Sequence, residues 1–200
     1  MNTPREQSLI HGHPFVIILT MARTHRPHIL ITGRPGVGKT TLITRLIPRL
    51  PGRAAGFYTR ERRDAQGRRI GFEIASLTGE RGIMAGVDLK SLHRVGKYRV
   101  DIETIDRVGV QAIRHGLSDP SVMFIIMDEI ATMELLSPSF RHIVLDALAS
   151  SKRVIATIQQ RSHPFLDQLR SRPDIALFSL TMDNRETMAD RILTSLQWRE

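Results

Sequence analysis

The 200-residue chain contains no cysteine, which excludes disulfides and thiolate metal sites and makes a cytoplasmic setting the expectation. Lysine is scarce as well. Of the 29 basic residues only Lys39, Lys90, Lys97 and Lys152 are lysines, so arginine carries nearly all of the positive charge. Aromatic residues make up 5%, which leaves little for stacking the bases of a nucleic-acid strand. Long hydrophobic runs are missing too. Pro14–Met21, flanked by His11, His13 and Arg23, falls short of the roughly 20 apolar residues that a bilayer span needs. No clear small-residue cleavage site follows it, so neither a membrane nor an export reading is supported. His11 and His13 have no third ligand in metal-binding spacing.

What is present is a basic globular composition, 41% hydrophobic and 24% charged, with a formal net charge of +9. The densest basic group is Arg60, Arg62, Arg63, Arg68 and Arg69. Spread through the chain, the remaining positives read as a solvated arginine-biased surface, and nucleic acid is an open but disfavoured partner. Residues 1–27 read as an N-terminal extension, or as a misassigned start with Met21 as the alternative. Residues 28–200 read as one domain.

From His28 onward, strands alternate with helices. His28–Thr32 is a short apolar strand, and Leu42, Ile43, Leu46 and Ile47 share one face of a helix that Pro48 and Pro51 stop. Ala54–Arg60 and Arg69–Leu77 predict a hairpin turning at Asp64–Gly67, with a further short strand at Gly82–Ala85. Ser121–Met127 and Val154–Ile158 are continuous apolar runs, as expected of strands buried on both faces. Helices are expected at Ile102–His115, Ser139–Ala149, Pro164–Ser171 and Asn184–Leu196, with a strand at Ile175–Leu180. The expected fold is α/β: a three-layer sandwich with a mainly parallel sheet, helices on both faces and a β-hairpin insertion.

Gly33-Arg34-Pro35-Gly36-Val37-Gly38-Lys39-Thr40 matches the complete G-x-x-x-x-G-K-[ST] pattern of a P-loop. A triphosphate demands many donors at short range, so the loop must turn its N–H groups inward, and glycine allows that without a Cβ clash. The motif follows an apolar strand and opens a helix, whose positive N-terminal end faces the phosphates. Residues Gly33 to Thr41 are therefore the candidate nucleotide-binding set. Lys39 is expected on the β- and γ-phosphates, and the Thr40 hydroxyl on Mg²⁺. Asp128 and Glu129 end the apolar strand read over Ser121–Ile130, where a carboxylate points into the ligand crevice of a parallel sheet. Asp128 is the second candidate for holding Mg²⁺, and Glu129 for orienting or deprotonating an attacking water. Thr157 and Gln159 are candidates for a polar contact near the γ-phosphate, with a plain strand end as the alternative. Glu134 reads as a cap or flank of the helical segment around it. Tyr58, Tyr98 and Trp198 read as packing residues.

Several blocks in this order resemble the small nucleoside-triphosphatases related to the thermophile enzyme and to the cancer-related nucleoside-triphosphatase. They are Ile31–Thr41, Gly56-Phe57-Tyr58-Thr59-Arg60-Glu61, Val95-Gly96-Lys97-Tyr98, Asp128–Leu135, Ala156-Thr157-Ile158 and His163-Pro164-Phe165. The resemblance implies Mg²⁺-dependent hydrolysis of the phosphoanhydride bond of ATP, GTP, CTP and UTP to diphosphate and phosphate. It gives no oligomeric state. The family usually has a Gly-Lys pair where this chain has Ala131 and Thr132, so either activity is lower or another cation, Arg34, Arg60 or Arg161, takes that place. Two other readings stay open: a nucleotide or nucleoside kinase with Arg60–Arg69 as its lid, and a nucleotide-gated binder of RNA or protein.

Overall fold

The computed structural model describes residues 27–196; His11, His13, Trp198 and the segment 1–26, for which the sequence raised expectations, lie outside them. One nine-stranded sheet organises the chain, and its strands are β1 (His28–Thr32), β2 (Arg53–Arg63), β3 (Arg69–Ser76), β4 (Arg81–Gly86), β5 (Arg94–Val95), β6 (Tyr98–Val100), β7 (Val122–Ile130), β8 (Arg153–Ile158) and β9 (Ile175–Ser179), in the order β5-β6-β4-β3-β2-β7-β8-β1-β9. The run β2-β7-β8-β1-β9 is parallel throughout. From β2 outward the pairing becomes antiparallel.

Helices cover the parallel half from both sides. On one side, α1 (Lys39–Leu46) and α6 (Met188–Leu196) pack Leu42, Ile43, Leu46, Met188 and Ile192 onto Ile29, Ile31, Phe124, Ile126 and Ile155. The other side carries α2 (Ile102–Thr104), a π-helical segment Ile105–Val110, α3 (Gln111–Ser118), α4 (Pro138–Ala149) and α5 (Pro164–Arg170). Ile113, Phe140, Val144, Leu148, Leu166 and Leu169 there meet Leu30, Phe57, Ile125, Met127, Val154 and Ala156. Alternate residues of each central strand thus feed opposite cores, which is why those strands read as unbroken apolar runs.

The expected elements are present, with three differences of extent. The anticipated hairpin is the first pair of a five-strand antiparallel run, β2-β3-β4-β6-β5, whose β5 and β6 are too short to show alternation. The helix predicted over Ile102–His115 carries the π segment, and Asn184 to Thr187 form a turn before α6 starts at Met188. After α1, Pro48 sits in a 3₁₀ turn, Ile47–Arg49. No helix among the described residues is long and apolar enough to cross a membrane.

Gly56 joins the parallel and antiparallel halves at close quarters. Its φ is 126°, and a Cβ there would lie 1.9 Å from the Ile126 carbonyl oxygen of β7. Gly67, in the β2–β3 turn, has φ 77° but open space around it. Gly56→Ala is therefore expected to cost about 2–5 kcal/mol in urea unfolding, and Gly67→Ala about 1 kcal/mol. Equal losses would refute the close approach as the cause.

Candidate active site

The loop between β1 and α1 is shaped by three glycines. Gly36 and Gly38 have φ of 79° and 108°, and a Cβ on Gly33 would lie 2.6 Å from the Leu180 carbonyl oxygen. Val37 is buried against α1 and α6 and pins the loop from below, while Arg34, Pro35 and Gly36 stay exposed. Gly38 caps α1 without a side-chain hydrogen bond, and no acidic residue occupies the first turn. The helix therefore offers its first N–H groups to an anion rather than to its own side chains. Thr41 is exposed on that same turn.

Lys39 bridges the loop and the end of β7. Its Nζ donates to the Gly33 carbonyl at 3.1 Å and lies 3.3 Å from Glu129 Oε1. The contact with Glu129 is an ion pair outside hydrogen-bond geometry, so that oxygen makes no hydrogen bond. Burial raises the Glu129 carboxyl above its ordinary pKa, Lys39 opposes the rise, and Asp128 adds to it.

Asp128 is 1% exposed. Its Oδ1 accepts a hydrogen bond from the Thr157 hydroxyl on β8, and the Thr40 hydroxyl of α1 lies close enough to favour the ionised carboxylate. Oδ2 is buried with no hydrogen-bond partner. Burial pushes this carboxyl up as well, against the two hydroxyls and Lys39. The peptide between Asp128 and Glu129 is cis, and β7 resumes its pairing with β8 at Ile130 after a register shift.

The fold thus brings Lys39, Thr40, Asp128 and Glu129 together, and it adds Thr157 from β8. Gln159 goes elsewhere: its side chain accepts from the Thr132 N–H at 3.1 Å and its own N–H donates to Ile130, fastening the turn after Glu129. Glu134 opens the 3₁₀ turn Glu134–Leu136, so it belongs to the helical segment and is not its cap. It is also 4% exposed, with Oε2 unpartnered. Its pKa lies well above the ordinary value, first through burial and then through the nearby Glu129 and Asp128 charges. The only hint of this in the sequence is a lone acid between Met133 and Leu135.

An orphaned, buried Asp128 oxygen beside the Thr40 hydroxyl is a donor set of the hard-oxygen kind that Mg²⁺ accepts. Among the described residues no group of three or more His, Cys, Asp or Glu forms a metal cage. A two-residue site suits Mg²⁺, which keeps water and substrate oxygens as its other ligands.

The Arg60–Arg69 segment is a hairpin of β2 and β3. Arg63 and Arg69 pair with Glu61, the latter at 2.6 Å, and Arg68 with Asp64 at 2.7 Å. Tyr98 is a packing residue, edge-on to Phe72 and hydrogen-bonded by Arg69 Nε at 3.0 Å.

A family model described as NTPase matches residues 28–193. Nucleoside-triphosphatase THEP1 of Thermotoga maritima is 46% identical over 170 residues, covering 85% of this chain and 95% of that protein. Cancer-related nucleoside-triphosphatase of Homo sapiens is 35% identical over 184 residues, covering 85% and 96%. Among solved structures, the crystal structure of THEP1 from Aquifex aeolicus superposes with a TM-score of 0.75 at 35% identity, over 86% of this chain and 99% of that one.

Glu134 supplies a prediction of its own. A carboxyl with a raised folded-state pKa contributes stability below its unfolded pKa, here 4.5, and loses it as pH rises towards the folded value. Glu134→Gln is therefore expected to be more stable than the wild type at pH 7, with the gap closing below pH about 4.5 in urea unfolding series. A gap that does not change with pH would show that the carboxyl ionises without cost.

Proposed function

The chain belongs to the NTPase family matched over residues 28–193, and on that premise we propose that it hydrolyses nucleoside 5'-triphosphates to diphosphate and phosphate with Mg²⁺ and broad base tolerance. The observation that carries the reading is the Lys39–Glu129 ion pair at 3.3 Å, which joins the phosphate-binding loop to the acid beyond Asp128.

The free backbone N–H groups of the loop and of the first turn of α1, from Gly36 and Gly38 to Thr41, bind the phosphates, and Lys39 moves onto the β- and γ-oxygens. Leaving Glu129 removes the cation that holds its pKa down, so the carboxylate becomes a stronger base as substrate arrives. Glu129 then orients water for in-line attack on the γ-phosphorus and accepts its proton, and the nucleoside diphosphate leaves. Asp128 and Thr40 hold Mg²⁺, which when bound offsets negative charge on the phosphates. Thr157 fixes the Asp128 carboxylate through its hydroxyl. The phosphate loop reads no base, which supports acceptance of ATP, GTP, CTP and UTP. Absence of a membrane-crossing helix among the described residues fits cytoplasmic substrates.

Phosphate release from the four triphosphates tests the reading, with wild type and Lys39→Ala side by side. Similar release across bases that disappears in the variant, or when EDTA is added, is the expected result. Release that survives Lys39→Ala would contradict it. Thr132→Lys, which restores positive charge beyond Glu129, is expected to raise turnover about tenfold. Unchanged turnover would show that this position does not act electrostatically.

A further inference from the structure

Strand β2 does not stop where the parallel sheet ends. Its Tyr58 is the Cα partner of Asp128, and four residue pairs earlier Ala54 partners Phe124. Phe124 and Ile126 belong to the core beneath α1, so residues of the same parity share the α1 face. Tyr58, Arg60 and Arg62 therefore stand on the face that carries Asp128 and the phosphate loop. They lie on the Asp128 flank of the crevice, away from β1.

Arg60 folds back along this strand. Its Cζ lies 4.8 Å from the centroid of the Tyr58 ring, which returns the guanidinium towards the level of Asp128. Strands are spaced about 4.8 Å apart, so an arginine over the ring beside Asp128 is within side-chain reach of an anion bound there. Stacking on the ring leaves the in-plane N–H donors of the guanidinium free for such an anion. The carboxylate across the strand from Arg60 is Glu73, and Glu73 pairs with Arg81 at 3.8 Å. Among the described residues Arg60 has no ion-pair partner, unlike Arg63, Arg68 and Arg69 of the same hairpin.

The crevice has a use for that charge. Asp128 and Glu129 are two buried carboxylates with Lys39 as the cation beside them, and a triphosphate brings further negative charge. Thr132 has no charge to offer, and its N–H is spent on Gln159.

We propose that Arg60, held by the Tyr58 ring, binds the terminal phosphoryl group of the bound triphosphate. This rests on the hydrolase reading for the identity of the ligand. Arg60 then acts on the third phosphate alone, because the α- and β-phosphates belong to the loop and α1. It supplies in the same chain the positive charge that an arginine finger gives to phosphoryl transfer.

Calorimetric affinities for ADP and for the β,γ-imido analogue of ATP, both with Mg²⁺, test the proposal without turnover. An inactive wild type would overturn the hydrolase reading and leave this test intact. The wild type is expected to prefer the triphosphate analogue. Arg60→Ala should lose about tenfold of that preference with ADP affinity unchanged, and Arg60→Lys should keep part of it. Tyr58→Ala, which removes the platform, should shift the ratio in the same direction. A preference unchanged in Arg60→Ala, equal weakening of both ligands, or a wild type that does not discriminate would each overturn the assignment.

Discussion

Desolvation of the Asp128–Glu129 pair at the end of β7 is the constraint around which the crevice is built. Burying two adjacent carboxylates is costly, and three elements contribute to offsetting it: Thr40 and Lys39 from α1, Thr157 from β8, and Gly33, whose carbonyl holds Lys39 in place. The compensation is incomplete, since Asp128 Oδ2 and Glu134 Oε2 have no partners. Incomplete compensation is what a site for a cation and a phosphate requires. A fully satisfied network would have to be broken before substrate could enter.

The two halves of the sheet divide the labour. The parallel half places the phosphate loop and the acids at one edge, as its topology dictates. The antiparallel half carries β2 beyond that edge, so that side chains in register with Asp128 continue on its flank. Gly56, whose backbone lies against the Ile126 carbonyl, allows this by bringing β2 close to β7 at the junction.

Much of this was legible in the sequence, for physical reasons. The phosphate loop must be glycine-rich at Gly33, Gly36 and Gly38, and strands buried on both faces must be continuously apolar, so β1, β7 and β8 announced themselves. Lys39, Thr40, Asp128 and Glu129 could be brought together because each sits at a fixed place relative to those elements. Other features depend on tertiary packing. β5 and β6 gain their pairing only next to β4, and the burial of Glu134 comes from the surrounding chain rather than from its neighbours Met133 and Leu135. Between Thr157 and Gln159 periodicity could not choose, whereas the register between β7 and β8 puts the former beside Asp128. The basic run Arg60–Arg69 read as one cluster. Glu61 and Asp64 divide it, tying down three of the five arginines, while Arg60 rests on its tyrosine and Arg62 has no ion pair among the described residues.

In the proposed function the P-loop binds the triphosphate while Glu129 activates the water that cleaves it. Glu129→Gln separates the two, since the amide keeps the shape of the side chain and cannot take a proton. Triphosphate affinity within about threefold of the wild type, with turnover reduced at least about a hundredfold, is the predicted result. Turnover close to that of the wild type would contradict the account.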